Sequence, residues 1–145
     1  MATAETVQLG PIHAPKEDSI IAFKTIEVEL KKKLQHLRHE TDKHEPQYFS
    51  PISHLPTPTL TSFTPASLKS VRIATSAYGL HLLGKVLIPE TDGKCFFMFR
   101  AFVPGDAESA TLHCIRMDET DVGGEEGKFF RAIFGEEDEL VWFDE

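Results

Sequence analysis

The sequence predicts an α+β fold, in which one N-terminal helix packs on a curved antiparallel sheet of five or six strands. Apolar residues recur at three- and four-residue steps over about residues 18–40, as in an amphipathic helix. Strand-forming residues dominate from residue 68 onward, where an Asp-Gly pair at residues 92–93 separates two runs as a hairpin turn. Residues 94–103 are the most apolar stretch of the chain, so we place them in the central strand.

The helix is expected to run from about residue 18 to residue 40, with Asp18 or Ser19 as its N-cap. Its apolar stripe is wide enough to pack on a sheet and comprises Ile20, Phe23, Ile26 or Glu27, Leu30, Leu34 and Leu37. A coiled coil is the alternative, because three of these residues are spaced by seven.

Two segments flank the helix. Residues 1–15 contain Gly and Pro and little periodicity, so we expect a flexible arm there and a single domain over residues 16–145. Residues 45–67 hold five prolines among many Ser and Thr, a composition that excludes a central strand or a helix interior. Several large apolar side chains in this Pro-rich segment predict that it wraps the domain.

The antiparallel sheet is expected to occupy about residues 68–144. Residues 118–127 hold three glycines and five acidic residues and are expected to form a flexible loop before a last hairpin. The predicted strands lie at about residues 68–78, 80–88, 94–103, 109–117, 129–134 and 140–143. This order of elements is similar to that of cystatin-like and NTF2-like domains, in which a curved sheet wraps a helix. The resemblance is one of architecture, covers no motif and implies no functional residue.

The turn at residues 92–93 predicts the strand register, because the strands of a tight hairpin pair directly outward from it. Val86 is then expected opposite Phe99. A second turn, after the central strand, is expected to set Cys95 opposite Cys114. Because side chains alternate along a strand, such a register sorts the sheet into two unlike faces.

We call these surfaces the apolar face and the mixed face. The apolar face carries no charge and comprises Leu82, Val86, Ile88, Cys95, Phe97, Phe99, Ala101, Val103, Leu112 and Cys114. The mixed face combines apolar with basic and polar side chains and comprises His81, Leu83, Lys85, Leu87, Phe96, Met98, Arg100, Phe102, Thr111, His113 and Ile115. The helix is expected on the apolar face. The mixed face is too apolar to face water, so a ligand, a partner or the chain's own loops, including the Pro-rich segment, must cover it.

Charge and composition exclude several classes of protein. The net charge is -8, and residues 118–145 hold 11 acidic but two basic residues, so the acidity is concentrated at the C-terminus. We expect a solubilising cluster there, with binding of a basic partner as the alternative. The shortage of basic residues argues against nucleic-acid binding.

The cysteines and the N-terminus indicate a cellular compartment. The two cysteines fit neither a disulfide framework nor a zinc site and are expected to be reduced thiols. The N-terminus lacks the features of a signal peptide, and no apolar run is long enough to span a membrane. We therefore expect a cytoplasmic protein, with a nucleocytoplasmic one as a variant.

No metal or cofactor site is predicted. His39 and His44 are five residues apart and would point about 140° apart on a helix, unlike i, i+4 metal ligands. The segment that begins at Asp118 lacks the oxygen ligands that an EF-hand needs at its third, fifth and twelfth positions. Phosphate-binding and nucleophile motifs are absent from the sequence.

The mixed face leads to one main functional hypothesis. We expect a non-enzymatic interaction protein that buries Lys85, Phe96, Met98 and Phe102 against a protein partner or a second copy, because aromatic, Met and Arg side chains are enriched in interface cores. A homodimer is one form that this hypothesis takes.

The alternative hypothesis is a small cavity enzyme. A lyase, isomerase or cyclase that acts on an apolar small molecule would use His81 and His113 as acid and base, with Arg100 to hold an anion. A third hypothesis, a regulatory adaptor acting through residues 45–67 and the acidic C-terminus, has the least support. On balance the sequence favours a protein that is not an enzyme.

Overall fold

The computed structural model describes residues 6–123 and 127–143. Five strands form one antiparallel sheet in the order β1-β2-β3-β4-β5, and two further strands pair as a separate ribbon. In chain order the elements are β1 (Gln8–Leu9), α1 (Glu17–His44), a 3₁₀ segment (Pro46–Ile52), α2 (Thr57–Leu60), a 3₁₀ turn (Pro65–Ser67), β2 (Leu68–Ser76), β3 (Gly79–Leu87), β4 (Phe96–Val103), a 3₁₀ turn (Ala107–Ser109), β5 (Thr111–Ile115), β6 (Asp118–Gly123) and β7 (Gly127–Arg131). The sheet is curved and not closed, which confirms the predicted α+β fold.

Helix α1 packs on the apolar face of the sheet. Its residues Phe23, Leu30 and Leu34 are fully buried, and the Phe23 ring lies 5.7 Å from the ring of Phe99 on β4. The apolar stripe therefore contacts the sheet of its own chain rather than a second helix. The helix continues to His44, beyond the predicted end, and its last turn places basic side chains at the negative end of the helix dipole.

The β3–β4 hairpin contains the predicted turn, but its strands pair in a different register. The Lys94 amide donates to the Thr91 carbonyl oxygen at 3.0 Å, and Asp92 and Gly93 both have positive φ, as this turn requires. A further positive φ at Glu90 belongs to a longer loop, and β3 ends before it.

The longer loop shifts the pairing by two residues from the prediction. Val86 lies opposite Phe97 rather than Phe99, and Lys85 lies opposite Met98. Because the side-chain period of a strand is two, a shift of two residues leaves every side chain on its predicted face.

The pairing of β5 with β4 overturns another prediction. Cys114 lies opposite Arg100 rather than Cys95, and Leu112 lies opposite Ala101, so His113 is the additional residue of a bulge. Because side chains alternate along a strand, one additional residue moves each later side chain of that strand to the opposite face of the sheet. Cys114 therefore packs in the core cluster of the mixed face, whereas Ile115 packs in that of the apolar face, the reverse of their predicted positions.

The C-terminal part also differs from the prediction. β6 and β7 pair with each other where a flexible loop was expected, although residues 124–126 lie outside the described residues. Residues 132–143, which we call the C-terminal strap, make a single bridge to the sheet, between Phe134 and Phe96. The predicted strand at residues 140–143 is wrong, because this part of the strap crosses the mixed face without strand pairing.

The two segments that flank α1 are both held against the domain. Strand β1 pairs with the edge of β2, and the Gly10 amide donates to the Ile73 carbonyl oxygen at 2.8 Å. Residues 1–5 of the expected flexible arm lie outside the described residues. The apolar side chains of the Pro-rich segment, such as Phe49 and Phe63, lie in the core between α1 and the apolar face. Among the described residues, no helix combines the length and the hydrophobicity needed to cross a membrane.

Candidate functional site

The mixed face is covered by the C-terminal strap. Phe134, Leu140 and Phe143 are buried and form one cluster with Leu83 and Met98 of the sheet. The strap thus removes Met98 from solvent completely. The chain itself supplies the cover that the composition of this face requires.

The strap leaves backbone carbonyl groups that no strand can satisfy, and the basic side chains of the sheet donate to them. The Lys85 Nζ atom donates to the carbonyl oxygens of Glu136 at 2.9 Å and Asp138 at 2.7 Å. The Arg72 Nη1 atom donates to the Leu140 carbonyl oxygen at 2.9 Å.

Two further arginines act in the same way on the rest of the strap. The Arg100 Nη1 atom donates to the Phe143 carbonyl oxygen. The Arg116 Nη1 atom lies 3.4 Å from the Glu139 carbonyl oxygen. Buried carbonyl groups without a partner are costly, and charged donors form the stronger hydrogen bonds. The basic character of the mixed face therefore has a structural explanation.

Cations also stack on the aromatic rings of this face. The Arg116 and Arg131 guanidinium groups lie 4.5 Å and 4.6 Å from the centre of the Phe134 ring. The Arg100 guanidinium lies 4.4 Å from the centre of the Trp142 ring. Because cation–π attraction grows when the pair is removed from water, these contacts stabilise the strap on the sheet.

The Lys85 ammonium occupies an unusual environment for a lysine. Burial lowers the pKa of Lys85, while the carboxylates of Asp138, Glu137 and Glu136 act in the opposite direction. The ammonium also lies 4.8 Å from the centre of the Phe96 ring. Its two carbonyl acceptors make it an anchor of the strap, which differs from the free interface residue predicted from the sequence.

The other end of the mixed face holds a cluster of rings, which we call the aromatic–histidine cluster: His81, Phe102, His113 and Trp142. His81 is buried, with its ring centre 5.2 Å from those of Phe102 and Trp142 and 6.1 Å from that of His113. The rings of Phe102 and His113 are stacked, 5.7 Å apart and 9° from parallel. Phe102, His113 and Trp142 are half-buried, so the cluster forms part of the surface.

His81 is held in a neutral environment. Its Nε2 atom lies 2.9 Å from the Ser76 hydroxyl oxygen, and its Nδ1 atom has no hydrogen-bond partner among the described residues. Burial lowers the pKa of His81, and the charges of Arg100 and His113 lower it further. A neutral imidazole is consistent with its apolar surroundings.

The structure brings together some of the predicted site residues and separates others. His81, His113 and Arg100 lie together beside Phe102, as the enzyme hypothesis requires. Lys85 and Phe96 lie together at the other end of the face, with Met98 buried between the two groups. Each predicted residue is thus on the mixed face, but they form two sites rather than one.

Trp142 is the main residue that the sequence analysis missed. It is the single Trp of the chain, and it lies in the apolar run of residues 140–143, which was assigned to a strand. That run was a usable signal for a buried segment. Its position on the mixed face could not be predicted, because no strand register places a segment that does not pair.

Three cavities lie away from the aromatic–histidine cluster, and no histidine among the described residues lines any of them. One of about 330 Å³ and one of about 170 Å³ flank Lys85 and share Ser70 and Glu136 in their walls, and a third of about 300 Å³ lies at the N-terminal end of α1. Within residues 6–123 and 127–143, no cluster of three or more His, Cys, Asp or Glu side chains is arranged to hold a metal ion.

Comparisons with known proteins add no family to this description. The resemblance to cystatin-like and NTF2-like domains therefore stays a prediction of architecture. No protein-family model, curated protein or solved structure matches this chain.

Proposed function

We propose that this chain is a non-enzymatic interaction module that binds a protein partner through the aromatic–histidine cluster. The observation that carries the proposal is the half-buried state of Phe102, His113 and Trp142, while the strap covers the remainder of the mixed face. Aromatic side chains such as Phe and Trp are enriched in the cores of protein–protein interfaces.

The proposed contact surface is narrower than the one predicted from the sequence. Met98 is fully buried beneath the strap, and Lys85 is bonded to strap carbonyl oxygens, so neither is available without displacement of the strap. Of the four interface residues predicted, Phe102 is the one that this proposal retains as a direct contact.

The geometry beneath the cluster supports binding because it fixes the rings in advance. The Arg100 guanidinium lies under the Trp142 ring and donates to the next carbonyl oxygen, that of Phe143. The Phe102 ring lies above Gly79, where a Cβ atom would come within 3.1 Å of it. Side chains that are already ordered lose little entropy when a partner binds them.

A protein partner other than a second copy is the occupant that we propose, and a cluster of three half-buried rings suits a contact at the lower end of interface sizes. A cytoplasmic location is part of the proposal, and Cys95 and Cys114, neither of which forms a disulfide, suit a reducing compartment.

The cavity-enzyme alternative has less support. The His81–His113 pair could relay a proton, but Arg100, its proposed anion holder, is engaged by the Phe143 carbonyl oxygen and the Trp142 ring. The three cavities described above also have other linings. Under this hypothesis His113→Ala would remove turnover of an apolar substrate and leave binding of a partner intact.

Site-specific photo-crosslinking tests the proposed function. A benzophenone side chain placed at His113 is expected to capture one defined protein, and Trp142→Ala in the same chain is expected to reduce that capture at least about tenfold, as for an interface hot spot. The control position is Val28, on α1, which is 67% exposed. Mass spectrometry identifies the captured chain.

Three outcomes would contradict the proposal. Equal capture at positions 113 and 28 would mean that the contact is not specific to the cluster. Capture that survives Trp142→Ala would place the contact elsewhere. A product with twice the mass of this chain would identify a second copy as the occupant.

A further inference from the structure

The Pro-rich segment contains each position of the chain at which Ser or Thr precedes Pro. There are three such pairs, Ser50-Pro51, Thr57-Pro58 and Thr64-Pro65. A hydroxyl side chain followed by Pro is the pair of residues that proline-directed protein kinases recognise and phosphorylate. The pairs are alike as sequence, so differences in their structure determine which of them a kinase can use.

Two of the three sites lie in helical backbone. Ser50 lies within the 3₁₀ segment, and its hydroxyl donates to the Gln47 carbonyl oxygen at 3.1 Å. Thr57 is the first residue of α2 and is half-buried. A protein kinase binds its substrate as an extended segment and aligns the hydroxyl with the γ-phosphate of ATP. Both helical sites would therefore have to unwind before they could be modified.

Thr64 differs from the other two sites in both respects. Its backbone is extended, with φ −127° and ψ 174°, which is the conformation favoured before a proline. Its side chain is exposed, whereas that of the preceding residue, Phe63, is fully buried. Because side chains alternate along extended backbone, the burial of Phe63 directs the Thr64 side chain outward.

The folded chain also holds Thr64 in this conformation. The Phe63 ring packs 5.9 Å from that of Phe23 on α1 and 5.2 Å from that of Phe97 on β4. On the other side, the Ser67 amide donates to the Thr64 carbonyl oxygen at 2.8 Å, and the Thr64 amide donates to the Ser67 hydroxyl at 3.1 Å. A kinase therefore meets an extended segment that is already ordered and loses little entropy on binding.

We propose that Thr64 is a phosphorylation site for a proline-directed Ser/Thr kinase. The Thr64 hydroxyl oxygen attacks the γ-phosphorus of ATP, the bond from that phosphorus to the bridging oxygen of the ADP leaving group breaks, and the hydroxyl proton passes to the catalytic Asp of the kinase. The product carries between about 1.5 and 2 negative charges at pH 7. The inference is independent of the proposed function, because Phe63 places this site on the α1 side of the sheet, opposite to the mixed face.

Phosphorylation of the full chain in vitro tests this proposal. The folded protein is incubated with ATP and, in separate reactions, with a cyclin-dependent and a mitogen-activated protein kinase, and mass spectrometry of its peptides locates the phosphate. With at least one kinase, the initial rate at Thr64 is expected to exceed the rates at Thr57 and Ser50 at least about tenfold, because the helical sites must first unwind.

Substitutions provide the matched controls. Thr64→Ala is expected to abolish most of the incorporation, and Thr64→Ser to keep it, since Ser retains the hydroxyl group. Thr57→Ala removes the other Thr-Pro pair and should leave the incorporation unchanged. Phosphate that accumulates as fast at Thr57 or Ser50 as at Thr64, or no phosphate at Thr64 with both kinases, would overturn the proposal.

Discussion

The two faces of the sheet are covered in physically different ways. Helix α1 covers the apolar face, and because the interior of a helix satisfies its own backbone, that face needs no charged donors, and the residues assigned to it carry no charge. The C-terminal strap covers the mixed face with irregular backbone, so the sheet beneath it must supply donors. Lys85, Arg100 and Arg72 do so. Basic residues inside strands can therefore indicate an irregular covering segment as well as a ligand site.

The largest effect is expected on the apolar face, where Phe99→Ala should lower the free energy of unfolding by about 3–5 kcal/mol. Phe99 is fully buried between α1 and the sheet, and its ring fills the space above Gly84. Denaturation in urea measures the change. Phe129→Ala is the matched control, because this Phe is exposed, and its effect should stay within about 0.5 kcal/mol. Similar losses in the two variants would contradict the helix-covered core described here.

A smaller and more local effect is expected on the mixed face. Lys85→Met keeps the length of the side chain but removes the donors to the carbonyl oxygens of Glu136 and Asp138, at a cost of about 2 kcal/mol. The cavities beside Lys85 limit this cost, because water can enter them. Hydrogen exchange should accelerate in the strap and remain unchanged in β4, since the strap is expected to loosen before the sheet.

Lys69→Met is the control for this experiment. Lys69 lines the same cavity as Lys85 but is exposed, so its loss should change the free energy of unfolding by less than about 0.5 kcal/mol. Faster exchange in β4 of Lys85→Met would show that the strap and the sheet unfold together. The strap would then not be a cover that loosens separately from the sheet, and it would not differ from helix α1 in this respect.

The difference between the helix-covered face and the strap-covered face also determines how much of the fold and of the site the sequence predicts. The faces of β3 and β4 follow from alternation alone, so Val86 and Lys85 lie on their predicted faces even though the register was wrong by two residues. The bulge at His113 exchanges the faces of the residues after it, and nothing in the local sequence marks that additional residue. Cys114 was misplaced for this reason.

The position of the strap could not be predicted for a different reason. Side-chain periodicity reports on regular elements, whereas the strap is held by hydrogen bonds from side chains far away in the sequence. Arg72, for example, donates to the carbonyl oxygen of Leu140, 68 residues later. The need for a cover was predictable from the composition of the mixed face, but the identity of the cover was not.

A pH titration tests whether the aromatic–histidine cluster depends on a neutral imidazole. Burial lowers the pKa of His81 in the folded state below its ordinary value of 6.5. As the pH falls below 6.5, the unfolded chain binds a proton that the folded chain does not, so the free energy of unfolding should fall with it. Arg100 and His113 face this imidazole, and their charges also lower the pKa of His81 and so oppose its protonation.

His81→Gln should show a smaller loss of stability than the natural chain between pH 7.5 and pH 5, measured by urea denaturation at each pH. His39→Gln is the control, since His39 is exposed on α1, and it should keep the full dependence. An unchanged slope in His81→Gln would mean that other groups cause the loss of stability.

The smallest effect on the free energy of unfolding is expected for the more exposed of the two arginines that stack on the Phe134 ring. Arg116 and Arg131 stack on the Phe134 ring, but the Arg116 side chain is 14% exposed and the Arg131 side chain 38% exposed. Arg116 is also held by both carboxylate oxygens of Asp118, at 3.0 Å each. Water and salt therefore screen Arg131 and its ion pair with Asp138 far more than they screen Arg116.

Arg131→Gln should accordingly lower the free energy of unfolding by less than about 1 kcal/mol, and 0.5 M NaCl should remove much of that difference. Arg116→Gln should cost more and depend less on salt, because it also leaves the Asp118 carboxylate without its bidentate partner. Urea denaturation at low and high salt measures both variants. Equal costs would mean that cations stabilise the strap by their charge alone, whereas unequal costs would show that burial determines what each contributes.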